Sequence, residues 1–68
     1  MKVTAELAPA RQSRAADLPE GATGVDLLKA LGLAVDAHLL VRGAVPIPED
    51  EPLRNGETIT VIAVASGG

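Results

Sequence analysis

The segment TITVIAVASGG (58–68) decides how this chain is read. Its first eight residues alternate: Ile59, Val61 and Ala63 point one way, and Thr60, Ile62 and Val64 the other. β-branched residues dominate it, so it reads as a strand over 58–65. Only Ser66, Gly67 and Gly68 follow. Without Cβ atoms, glycines can thread a channel too narrow for any other residue.

Upstream of that strand, EDEPLRNGE (49–57) carries turn chemistry, with Pro52 and the Asn55-Gly56 pair. AVPIP (44–48) is a short extended piece, and its prolines assign it to a sheet edge. AHLLVRG (37–43) reads as a strand, with Leu39 and Val41 on one face and His38, Leu40 and Arg42 on the other. TGVDLLKALG (23–32) is the clearest helix. Thr23 is its N-cap, Asp26 sits at N3, Val25, Leu28 and Leu31 form an apolar stripe, and Gly32 closes it. At the N-terminus KVTAELA (2–8) alternates as a half-buried strand, and Arg11 to Leu18 form a weaker strand between Pro9 and Pro19. One helix covers one sheet face. The expected inward set is Val3, Ala5, Leu7, Leu39, Val41, Ile59 and Val61, meeting Val25, Leu28 and Leu31. The other face offers Leu40, Ile62 and Val64, with Arg42 and Thr60 at its margin. That apolar group asks for a partner.

Composition narrows function. With 68 residues the chain makes one small domain, expected over 1–65 with a Ser-Gly-Gly tail over 66–68. It has no aromatic residue, so it offers no stacking platform for single-stranded nucleic acid. Its net charge is −3, from 6 basic and 9 acidic residues, which disfavours a polyphosphate partner. Cysteine is absent, which excludes a thiolate metal site and a thiol nucleophile. There is no Ser-His-Asp set, phosphate loop or metal-spaced cluster. Glu49-Asp50-Glu51 reads as a solvated turn, His38 as a surface strand residue, and Lys2 and Lys29 as ordinary exposed lysines. No apolar run approaches membrane-spanning length, and the first residues lack a signal-peptide core, so cytoplasm is the expected compartment.

The strand–strand–helix–strand–strand order resembles the ubiquitin-like sulfur carriers of the ThiS/MoaD group, which includes the small archaeal ubiquitin-like modifiers. The capped helix after LPEGAT, the VRGAVPIPEDEPLRNGETITVI stretch and the terminal SGG carry the resemblance. It implies an α+β β-grasp fold: a mixed sheet of four to five strands, one main helix on one face, and the first and last strands adjacent and parallel at the centre. It also implies a carrier and not an enzyme. An adenylating activating enzyme uses ATP on the carboxylate of Gly68, with Gly67 and Ser66 as the slim tail. A sulfur donor then yields a thiocarboxylate for a downstream synthase or thiolation enzyme, serving thiamine, molybdopterin or tRNA. In some members the activated glycine instead acylates lysines of target proteins. The partner surface carried over is Leu40, Arg42, Thr60, Ile62 and Val64. No cofactor or metal is expected on the chain itself, and neither direct nucleic-acid nor membrane binding. A third reading is a β-grasp interaction module whose tail is never activated.

Overall fold

A computed structural model describes residues 1–65. Strand β1 (Lys2–Ala8) turns back into β2 (Gln12–Asp17). Helix α1 (Gly24–Leu31) follows, then a 3-10 turn (Val35–Ala37), β3 (His38–Arg42), β4 (Val45–Ile47) and β5 (Thr58–Ala63). The strands form one sheet in the order β2-β1-β5-β3-β4. β1 and β5 are parallel and central, and every other pair is antiparallel. This is the β-grasp arrangement that the resemblance implies.

Local chemistry explains most boundaries. At the start of α1 the Thr23 N–H donates to Asp26 Oδ2 at 2.8 Å, the reciprocal half of a capping box. At its end Gly32 takes φ 74, and the Leu33 N–H reaches back to the Leu28 carbonyl at 2.9 Å. That left-handed turn is cheap only for glycine, and it drops Leu33 against the core. β2 has a weak hydrophobic pattern because it is an edge strand, with only Ala16 buried. β5 ends at Ala63, two residues short of the alternation in the sequence. The Val64 N–H still donates to the Ala37 carbonyl at 2.9 Å, so pairing continues one residue past the strand.

The core is aliphatic. Leu27, Leu28, Ile59, Val3 and Val61 are its largest fully buried side chains, joined by Ala5, Ala16, Leu18, Ala22, Leu31, Leu40 and Leu53. The expected inward set holds for Val3, Ala5, Ile59, Val61, Leu28 and Leu31, and Leu7 packs at its border. It fails on β3. Leu40 is 3% exposed, whereas Leu39 is 56% exposed. Register gives the reason. Leu40 pairs with Val61 and Leu39 with Ile62, so the inward phase of β5 dictates that of β3. Three consecutive apolar residues, Leu39, Leu40 and Val41, leave the phase open in the sequence.

Gly24 makes room for the outcome. It is buried in the first turn of α1, and an added Cβ would overlap Leu40 Cδ1 and stand 2.9 Å from the Glu49 carbonyl oxygen. The loop after β4 then holds the helix N-terminus. Val25 N–H donates to Glu49 O at 2.8 Å and Gly24 N–H to Glu51 O at 3.2 Å, while Leu53 N–H donates to Ala22 O at 2.9 Å. The Val25 and Gly24 bonds satisfy amides that an α-helix leaves without internal partners.

Candidate functional site

The sheet face away from α1 is built by the strand alternation that buries its opposite. Pairing places Thr60 and Ile62 of β5 beside Val41 and Leu39 of β3, and beside Glu6 and Ala8 of β1. Leu39 is the most exposed large apolar side chain here, while Val41 and Ile62 are half-buried. Val64, also half-buried, continues the Ile62 side through its bond to Ala37. The apolar group thus sits at the end of β5 from which residues 66–68 depart. No charged residue of β3 or β5 lies on this face within the apolar group.

Two of the residues expected on this surface lie elsewhere. Leu40 is in the core, for the register reason given above. Arg42 shares the Leu40 face and acts as a brace. Its Nε donates to Glu57 Oε1 at 2.8 Å and one Nη to Glu57 Oε2 at 3.1 Å, a two-pronged pair. The guanidinium also donates to Glu51 Oε2 at 2.9 Å and to the Pro52 carbonyl at 3.0 Å. These hydrogen bonds raise the Arg42 pKa above its usual value. They hold the Glu57 carboxyl below its ordinary 4.5, with a smaller contribution from the Arg54 backbone N–H. Arg42 therefore fastens the loop that caps α1. Thr60, Ile62 and Val64 stay on the outer side, and Leu39 and Val41 join them. Sequence reasoning missed those two by one step of phase. Ser66, Gly67 and Gly68 lie outside the described residues.

His38 stands where β3 meets the end of β5, opposite Ala63. Its Nδ1 lies 2.7 Å from the Ala34 carbonyl, so Nδ1 carries the proton and donates. Among the described residues no three His, Asp or Glu side chains are placed to hold a metal ion. No described helix is long and apolar enough to cross a membrane.

Among the described residues, a five-stranded mixed sheet with a parallel central pair and a single α-helix on one face defines a ubiquitin-like β-grasp protein. The family model described as small archaeal modifier protein 2 matches residues 1–65, and the chain belongs to that family. It is a family of small ubiquitin-like archaeal modifiers. No individually curated protein matches the chain.

Proposed function

We propose that the chain is a ubiquitin-like sulfur carrier that works through the carboxylate of Gly68. An activating enzyme joins that carboxylate to the α-phosphate of ATP, releasing pyrophosphate. A hydrosulfide-equivalent donor then attacks the acyl carbon, AMP leaves, and a thiocarboxylate remains. A downstream synthase or thiolation enzyme takes the sulfur, with thiamine, molybdopterin or a tRNA base as the product classes. This chain supplies the acyl group and the handle. ATP belongs to the activating enzyme, and cytoplasm is the compartment this reading implies.

The observation that carries the proposal is the placement of the apolar outer face at the end of β5 that leads into Ser66-Gly67-Gly68. A partner gripping Leu39, Val41, Ile62 and Val64, with Thr60 at the border, would receive the tail beside its grip. Ordering the tail costs about 1–2 kcal/mol per residue, and that apolar contact offsets the loss. The family description favours a second reading, in which a lysine ε-amine of a target protein displaces AMP and forms an isopeptide with Gly68. The two readings share activation and part at the second step.

The test is an intact mass after incubation with ATP, a sulfur donor and the activating enzyme from the same cells. Replacement of one oxygen by sulfur, lost on deletion of Gly67 and Gly68, supports the carrier. Gly-Gly remnants on target lysines without a thiocarboxylate support the modifier. Neither product would leave a binding module with an unused tail.

A further inference from the structure

The two edges of the sheet differ in what their main chains offer. Val64 N–H bonds to Ala37 O, so alternate residues Leu39 and Val41 turn their main-chain groups toward β5. Leu40 and Arg42 therefore turn toward β4, where their partners are Ile47 and Val45. Pro46, between those two, points its nitrogen off the edge and has no hydrogen to give. The outward position of β4 cannot donate to a further strand.

β2 is the opposite case. Thr4 N–H donates to Glu57 O at 3.0 Å and Gly56 N–H to Lys2 O at 2.7 Å, so Lys2, Thr4 and Glu6 turn toward β5. Met1 exchanges bonds with Leu18 at 2.7 and 2.8 Å, so the odd-numbered residues of β1 turn toward β2. Their partners on β2 are Ala16, Arg14 and Gln12. Ser13, Ala15 and Asp17 consequently direct N–H and C=O off the free edge. All are exposed, and their main chains have no partner among the described residues.

Charge along this edge is polarised. Arg11 and Arg14 lie at one end, Asp17 and Glu20 at the other. A strand that runs from positive to negative complements itself when antiparallel. The pleat restricts the register further, because paired residues must share a face. Pairing Ala15 with Ala15 of a second copy satisfies both conditions and engages every outward group of β2. It sets Ser13 opposite Asp17 of the second copy, on the face away from the helix. Ser13 and Arg11 line a recess there with Glu6, Ala8 and Thr60. Arg11 has no carboxylate partner among the described residues, so Asp17 of the second copy completes it. Glu6 is two strand spacings, roughly 10 Å, from that carboxylate. Arg14 faces the helix side and is already held by the Leu31 carbonyl at 3.1 Å.

We infer that two copies of this chain associate edge to edge through β2, forming one continuous sheet across a two-fold axis. The contact is narrow, so the dimer is weak and forms only at high concentration. β2 is separated from β3 by β1 and β5, so the apolar group around Leu39 stays clear of the contact in the dimer.

Sedimentation equilibrium of the full chain, up to about 1 mM, tests this. The expected result is a reversible monomer–dimer equilibrium. Ala15→Pro removes one outward donor and should weaken it at least tenfold, with the amide spectrum of the monomer retained. Asp17→Arg should weaken it similarly, and Arg11→Asp combined with Asp17→Arg should restore it. Ile62→Asp should leave it unchanged. A chain that stays monomeric throughout overturns the proposal. So does an association that survives Ala15→Pro and Asp17→Arg but is lost in Ile62→Asp, which would place the contact on the apolar face.

Discussion

Leu39 and Ile62 stand opposite each other on the outer face of the sheet, while the adjacent pair, Leu40 and Val61, lies in the core. One step along β3 therefore separates the outer face of the sheet from its core. Leu40→Ala should cost about 2–5 kcal/mol, a large share of the stability of so small a domain. Leu39→Asp should cost about 1 kcal/mol or less, yet weaken binding to the activating enzyme at least tenfold. Thermal unfolding and a titration of the enzyme separate the two effects. Tight binding by a folded Leu39→Asp protein would remove the outer face from the proposed function.

Gly24→Ala should destabilise although alanine is the better helix former by about 1 kcal/mol. The added Cβ overlaps Leu40 Cδ1 and crowds the Glu49 carbonyl, a backbone group that cannot swing aside. Overpacking of this kind typically costs about 1–3 kcal/mol. Denaturant midpoints of the two proteins decide the sign. The double variant Gly24→Ala with Leu40→Ala should lose less than the sum of the single changes, since the smaller side chain relieves the clash.

Arg42→Lys should behave as a loss despite the retained charge. Lysine has no planar fork to hold both Glu57 oxygens while also reaching Glu51 and the Pro52 carbonyl. The loop over 48–57 should loosen first. Hydrogen exchange should quicken at the Gly24, Val25 and Leu53 amides, which bond across to or from that loop. Exchange quickened evenly over the whole chain would assign Arg42 to global stability.

The same brace sets an acid limb. Hydrogen bonds from Arg42 lower the Glu57 pKa from its ordinary 4.5, so the folded state binds the proton less readily than the unfolded chain. Its stabilising contribution is present above pH 4.5 and is lost as pH falls through that value toward the lower folded one. Glu57→Gln should reduce stability at neutral pH and flatten the fall in acid. Denaturant midpoints measured against pH show either two separate curves that converge in acid or a constant offset. The constant offset would contradict the ion-pair account.

Deleting Gly67 and Gly68 should leave thermal unfolding unchanged, because neither residue has a side chain to bury. Thiocarboxylate and isopeptide formation should both disappear. A drop in melting temperature on deletion would show that the tail also packs on the domain.

Much of this protein is legible in its residues taken in order. Alternation in 2–8 and 58–63, the Thr23–Asp26 cap, the Gly32 stop and the prolines around β4 each act over a few residues, so local chemistry determines the elements and the edge position of β4. Pattern alone left open the phase of β3, where Leu39, Leu40 and Val41 satisfy either face. It also left open the role of Arg42, whose acceptors lie 9 to 15 residues away. Ala16, Leu18 and Leu53 joined the core unannounced, because their burial depends on which strands become neighbours. Those outcomes belong to the tertiary structure. Strand register transmits the inward phase of β5 to β3, and the space left by the missing Cβ of Gly24 receives Leu40. No window of the sequence contains both partners of either contact.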